Sequence, residues 1–271
     1  MDTITTGGLS MPKLGLGTWR MKGEDCVAAI DRALGLGYRH LDTAEMYGNE
    51  EAVGAGLART GLPRDQVHVT TKVWWEHLAP DAIRTALAAS LERLGTGYVD
   101  LYLIHWPAAG MDLAAALGTM AELQRQGLIR AIGVSNFSVA LLRQAAATGV
   151  PIACNQVEYH VLLSQAPLLA YTRAHGIAVT AYCPLAQGRL AEYPALHQVA
   201  QKHGATPAQI ALAWLLEQDG VGAIPKAARP ESQQANLDAA RLALDDADRA
   251  AIAALPKAER FVNPSWAPAW D

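Results

Sequence analysis

The sequence predicts an α/β fold: a (β/α)8 TIM barrel with an N-terminal β-hairpin and a helical C-terminal tail, with residues 1–271 forming a single domain. Eight short apolar segments alternate with segments whose apolar residues recur every three to four positions, the pattern of parallel strands covered by outer helices. Eight such units fill a chain of 271 residues, a length that suits a closed barrel. A doubly wound sheet is the alternative, but no strand is followed by G-x-G-x-x-G or a P-loop.

Gly7-Gly8 lies between short alternating segments in residues 3–11, which predicts a hairpin ahead of the main fold. Residues 14–19 read as the first strand. The helix over 24–36 puts Val27, Ile30, Ala33 and Leu34 on one face, and Gly37 stops it. Gly37-Tyr38-Arg39-His40-Leu41-Asp42 is the second strand, with Tyr47 a few residues beyond. A helix over 49–59 leads to the third strand, 67–73, which carries Lys72. A helix over 80–94 leads to the fourth, 100–106, which carries His105. Strands over 128–135, 152–158 and 177–183 are separated by helices over 139–147 and 165–175, and a helix over 112–126 precedes them. Thr206-Pro207-Ala208-Gln209 has the form of a capped helix start, and that helix runs to 217 before a last strand over 221–224.

Half of the residues are apolar and the net charge is −4, with no basic run, so neither nucleic acid nor an acidic membrane surface is an expected partner. Cys26, Cys154 and Cys183 share no metal or disulfide spacing, so no metal is expected. No signal peptide and no apolar run of about 18 residues is evident, and a cytoplasmic location is expected. The sequon Asn136-Phe137-Ser138 then carries no meaning.

Side chains alternate between lumen and helix layer along a barrel strand, so His40 with Asp42, Thr70 with Lys72, and Leu103 with His105 share faces. Asp42, Tyr47, Lys72 and His105 fall at the C-terminal ends of successive strands, where barrel enzymes carry their chemistry. Taken singly, Asp42 reads as a cap, Tyr47 as packing and His105 as a core histidine. Lys72 is the least ordinary, since lysine rarely points into a lumen. Together the four form a proton donor for an oxygen gaining negative charge, as in carbonyl reduction. The expectation is that Lys72 lowers the Tyr47 pKa, that Asp42 keeps Lys72 charged, and that His105 binds the carbonyl oxygen.

The chain resembles the aldo-keto reductase family over nearly its whole length, in the style of its small bacterial 2,5-diketo-D-gluconate and methylglyoxal reductase-like members. The resemblance rests on Gly15-Leu16-Gly17-Thr18-Trp19, Gly37 through Gly48, Thr71-Lys72-Val73-Trp74, Leu91 through Gly95 and Tyr98 through Pro107. Arg130 through Phe137, Asn155 through His160, Ala181 through Leu185 and Ile224-Pro225-Lys226 extend it. It implies NADPH-dependent reduction of small aldehydes and ketones, with Tyr47 as general acid, Lys72 and Asp42 tuning it, and His105 orienting the carbonyl. Ser135, Asn136 and Gln156 would hold the nicotinamide carboxamide, and Tyr182 would stack on its ring. Pro184, Leu185, Gln187 and Gly188 would meet the pyrophosphate. Gly17, Thr18, Trp19, Ile224, Ala227, Ser232 and Asn236 would line the cofactor cleft, and Lys226 would meet the 2′-phosphate. Trp19, Trp74, Trp106 and Trp266, with Tyr47 and His105, would line the substrate pocket.

The chain departs from the family where Ala227, Ser232 and Ala235 replace the usual Ser or Thr, Arg and Glu. Arg229 could take over the phosphate, since a guanidinium suits it; NADPH remains the expected cofactor, with NADH possible. The short segment after Pro107 leaves the mouth to be closed by residues 261–271, with Trp266 and Trp270. The expected enzyme is a monomer acting on a small-molecule carbonyl substrate. The competing readings are a non-catalytic nucleotide sensor on the same barrel and a barrel hydrolase, the latter without H-x-H or H-E-x-x-H spacing.

Overall fold

The computed structural model describes residues 2–271. It opens with an antiparallel hairpin, β1 (Thr3–Thr6) and β2 (Leu9–Pro12), in register Thr3↔Pro12. Gly7 and Gly8 both have positive φ, 53° and 80°, which a two-residue turn matched to strand twist requires.

Eight parallel strands follow: β3 (Leu16–Gly17), β4 (His40–Asp42), β5 (His68–Val73), β6 (Val99–Ile104), β7 (Ile129–Ser135), β8 (Cys154–Glu158), β9 (Ala178–Tyr182) and β10 (Val221–Ala223). Each pairs with the next in sequence. The seam closes between first and last, where Gly15 N and Gly17 N donate to Ala223 O (2.9 Å) and Pro225 O (3.1 Å). A Cβ on Gly17 would fall 2.6 Å from Ile224 O, so only glycine lets the two edges meet. The curled sheet is the expected (β/α)8 fold.

The helices are α1 (Gly23–Leu36), α2 (Glu50–Arg59), α3 (Pro80–Leu94), α4 (Leu113–Arg125), α5 (Val139–Ala147), α6 (Ala166–Ala174), α7 (Pro194–Lys202), α8 (Pro207–Leu216), α9 (Pro230–Ala239) and α10 (Asp246–Ala253). Gly37 caps α1 at φ 108°, and Thr206 with Gln209 forms the capping box of α8. β3 is much shorter than the predicted strand over 14–19, because the seam bridges hold its flanks without a continuous ladder. His105 lies just past the end of β6. Helix α7 was not predicted. Beyond α10, residues 254–271 have no regular helix or strand, so the tail is helical only in its first part.

Two apolar layers place the site. Ile4, Leu9 and Met11 of the hairpin pack against Leu101, Leu103, Ala131 and Cys154 inside the lumen and plug the N-terminal end of the barrel. Gly133 is needed there, since a Cβ would stand 2.5 Å from a Leu103 methyl. The helices bury their apolar faces against the outside of the sheet. With one end plugged and the wall sealed, the open end is the C-terminal one.

Candidate active site

Asp42, at the end of β4, and Lys72, in β5, meet inside that end. Lys72 is 0% exposed and Asp42 1%. Lys72 Nζ lies 2.5 Å from Asp42 Oδ1, donates to Thr43 O at 2.7 Å, and reaches the Tyr47 hydroxyl at 3.4 Å. The register β4↔β5 pairs Asp42 with Thr70, so Lys72 projects two residues further along the same lumen-facing row. Tyr47 sits on a single 3-10 turn, Glu45–Tyr47, and Glu45 ties this turn to the end of β5 by accepting from Trp74 N and from the His77 ring. His105 is buried, with its ring 5.6 Å from that of Tyr47, and its Nδ1 has no hydrogen-bond partner. The structure brings together all four residues singled out in the sequence.

Their protonation differs from expectation in one respect. The Tyr47 phenol is pushed well above its ordinary value, first by burial and then by the negative charge of Asp42 and by Cys183. It is not lowered by Lys72. The reason is that Lys72 already faces Asp42 and Thr43 O, so its positive charge is largely compensated before it reaches the phenol. Burial lowers the pKa of Lys72 itself, and Asp42 opposes that fall. Burial and the nearby ammonium drive His105 well below its ordinary value, so its imidazole is neutral. At neutral pH the phenol is protonated and the histidine uncharged, a pair able to donate to an oxygen.

The residues expected to hold a cofactor ring the same end. Ser135 closes β7 and donates to Gln156 O at 2.8 Å. Asn136 donates through Nδ2 to His105 O (3.0 Å) and Ser135 Oγ (3.1 Å), and accepts from the Tyr182 hydroxyl at 2.7 Å. Gln156 donates through Nε2 to Asp42 Oδ2 at 2.7 Å, linking this group to the Lys72–Asp42 pair. Asn136, Cys183, Ala186 and Gln187 have φ between 46° and 62°, and Arg20 has φ 65°. These are all the non-glycine residues in the left-handed region among the described residues, and all follow the C-terminal ends of strands. Such strained backbone collects where loops are shaped for a ligand. Pro184, Leu185, Gln187 and Gly188 belong to this shaped loop. Lys226 and Arg229 are exposed on the segment that enters α9 and make no ion pair among the described residues; Arg229 is the N-cap of α9, and Ser232 lies in its first turn. A helix N-terminus flanked by two free cations suits an anion.

Other expected cofactor residues turn inward. Thr18 is fully buried, and its hydroxyl donates to Asp42 O at 2.9 Å. Ala227 is buried with its carbonyl accepting from Gln233, Asn236 is buried, and the Tyr38 hydroxyl beneath them donates to Gln233 O at 3.0 Å. Ile224 is also buried, at the seam beside Gly17. These positions shape the wall.

Aromatic rings form the mouth. Trp19, 43% exposed, lies 4.7 Å from Tyr47, and Trp74 lies 5.2 Å from His105. Trp266 from the tail, 45% exposed, stands edge-on to Trp106 (5.0 Å) and Trp74 (6.0 Å). Trp106 is buried beneath Trp266 and Trp270, so the tail stands between it and solvent. Sequence reading missed Trp75, 5.6 Å from Trp266, and Glu158, whose buried carboxylate accepts from Phe261 N and Val262 N. Glu158 lies inside a motif already noted, but its partners are distant in sequence.

A model of the Aldo/keto reductase family matches residues 13–257. The methylglyoxal reductase DkgB of Salmonella typhi is 42% identical over 268 residues, covering 97% of this chain and all of that protein. The methylglyoxal reductase DkgA of Escherichia coli K12 is 40% identical, covering 94% of this chain and 93% of its own. A solved structure of a candidate 2,5-diketo-D-gluconic acid reductase B superposes with a TM-score of 0.97 at 39% identity, covering 100% of this chain and 98% of that one.

Proposed function

The chain belongs to the aldo/keto reductase family and is an NAD(P)H-dependent oxidoreductase, and we propose that it uses NADPH to reduce small aldehydes and ketones to alcohols, with dicarbonyls such as methylglyoxal or diketo-gluconate among its substrates. The observation that carries this reading is the buried Lys72–Asp42 pair, 3.4 Å from a protonated phenol that stands beside a neutral histidine.

In this reading Ser135, Asn136 and Gln156 would hold the nicotinamide carboxamide, Tyr182 would lie against its ring, the 184–188 loop would meet the pyrophosphate, and Lys226 with Arg229 would meet the 2′-phosphate. The nicotinamide supplies a hydride to the carbonyl carbon when bound. Tyr47 gives its proton to the carbonyl oxygen, and His105 fixes that oxygen by a hydrogen bond from its neutral ring. Lys72 stabilises the phenolate as it forms, in a water-poor site where one fixed charge acts strongly. Asp42, held by Gln156 and Lys72 together, keeps the ammonium aimed. Trp19 and Trp74 enclose the substrate and limit water. A monomeric state and a cytoplasmic location belong to the same proposal.

The test is Tyr47→Phe. Loss of a positioned general acid lowers kcat by about 10²–10⁴-fold, while cofactor binding followed by tryptophan quenching stays near wild type. A variant that turned over methylglyoxal at the wild-type rate would end the assignment.

A further inference from the structure

Residues 257–271 leave α10 and cross the open end of the barrel. Their root pairs antiparallel to the segment after β8: Ser164 N donates to Lys257 O at 2.9 Å and Glu259 N to Leu162 O at 3.0 Å. Past Arg260, the residues Phe261 and Val262 are held by Glu158, the last residue of β8, which is fully buried. Glu158 Oε1 accepts from Phe261 N at 2.7 Å and from His160 Nε2 at 3.0 Å, and Oε2 accepts from Val262 N at 2.9 Å. At the far end Asp271 accepts from Val139 N, 3.0 Å to Oδ1 and 2.9 Å to Oδ2, at the start of α5. Between the two clamps the hydrogen bonds are internal, Ala267 N to Pro264 O (2.9 Å) and Trp270 Nε1 to Asn263 Oδ1 (2.9 Å). The span is otherwise held to the barrel by the contacts of its tryptophans with Trp74, Trp75 and Trp106.

A carboxylate is costly to bury and is retained where several donors converge on it. Here two of its three donors are the tail's own backbone, so Glu158 fixes the direction in which the tail leaves the barrel wall. We propose that Glu158 is a positioning residue for substrate selection, acting through the tail to hold Trp266 as the outer wall of the mouth. Trp266 stands one aromatic layer beyond Trp74, which itself borders His105. A three-carbon dicarbonyl between Tyr47 and His105 does not reach it. A carbonyl carrying an aromatic ring does. The residue therefore governs the KM of bulky carbonyl substrates and leaves the chemical step alone. This rests on the reading of the Tyr47 end as a carbonyl-reducing site.

The experiment is Glu158→Gln, whose amide offers one acceptor and turns a donor toward a tail N–H. KM and kcat are measured for an aromatic aldehyde and for methylglyoxal, with NADPH binding followed separately. The expected result is a KM for the aromatic aldehyde raised about 10-fold, the scale of one lost charge-assisted hydrogen bond, with kcat, the methylglyoxal KM and NADPH affinity within about twofold. Trp266→Ala raises the aromatic-aldehyde KM by a similar factor, and adding Glu158→Gln to it moves that KM no further, because both act through one contact. Val262→Pro removes one clamp donor while keeping the buried carboxylate, and reproduces the effect if Glu158→Gln does not fold. KM and kcat for both substrates falling away together, or effects of the two variants that simply add, would overturn the proposal. Wild-type enzyme inert toward both aldehydes would remove the reductase reading, and this inference with it, before any variant is made.

Discussion

Replacing Lys72 by methionine removes the charge but keeps most of the side-chain volume, so the perturbation is electrostatic. Lys72 is 0% exposed, and its ammonium touches Asp42 at 2.5 Å and Thr43 O at 2.7 Å. Without it, the Asp42 carboxylate keeps Gln156 Nε2 as its side-chain donor, and Thr43 O loses its partner. Breaking a buried pair from one side costs about 3–5 kcal/mol, because the remaining charge stays buried and uncompensated. At ~2–4 °C per kcal/mol for chains of roughly this size, Tm falls by about 10 °C. The double variant Lys72→Met/Asp42→Asn removes the orphaned charge and recovers at least half of that loss. Thermal unfolding of the three proteins checks this, and kcat checks the chemistry: both variants lose ~10²–10³-fold, since neither offers the phenolate a cation. A Lys72→Met protein melting with wild type would refute the reasoning. So would a double variant less stable than the single, since the cost could not then lie in an unpaired carboxylate.

The buried rings of His40 and His68, 4.7 Å apart, have pKa values lowered by burial. The unfolded chain therefore binds more protons than the folded one below about pH 6.5, and each ring adds up to ~1.4 kcal/mol per pH unit to the stability lost on acidification. Urea titrations stepped downward from about pH 6.5 should show that slope, and His68→Asn should flatten it by one histidine's share. Glu50 is fully buried and accepts from Thr71 (2.5 Å), Ser90 (3.1 Å) and Arg93 (2.9 and 2.6 Å), joining α2, β5 and α3. Glu50→Ala should cost about 3 kcal/mol or more in denaturant unfolding while leaving KM unchanged in the protein that folds. Lys226→Ala and Arg229→Ala should each weaken NADPH about 10–100-fold by loss of a charged contact and leave NADH affinity alone. Equal effects on both cofactors would place these residues elsewhere.

The barrel was legible in the sequence because its signal is local. Apolar runs and three-to-four spacing within each unit identified the eight strands and most helices, and the glycines at 7, 8 and 37 marked turns that the φ values bear out. The four strand-end groups could be collected without coordinates, since barrel geometry sends every strand end to one rim. Helix α7 escaped because its buried face is only Leu196, Val199 and Ala200, in a stretch that otherwise reads as loop. Glu158 escaped because the backbone it holds lies 103 and 104 residues away, and Gln156 meets Asp42 across 114. Residue type does not encode such pairings. Trp75 adjoins Trp74, but nothing local says that both rings turn toward the tail.

The direction of the Tyr47 pKa was missed for a reason that bears on the chemistry. Counting neighbours treats Lys72 as a free positive charge, whereas in the folded protein it is one half of a pair that is nearly neutral seen from outside. Burial then decides, and it opposes the phenolate. A donor has to be protonated before it can donate, so a high resting pKa keeps Tyr47 loaded across the neutral range. The difficulty moves to the transition state, where the proton leaves and negative charge appears beside Lys72 Nζ. The same poor dielectric that raised the resting pKa now strengthens the attraction of that new charge to the ammonium. Lys72 is thus felt more in the rate than in the resting titration of the phenol, as catalysis by differential binding requires. Lys72→Met should therefore lower kcat severely and leave the free phenol harder to ionise than before, since the Asp42 carboxylate then faces it without its cation.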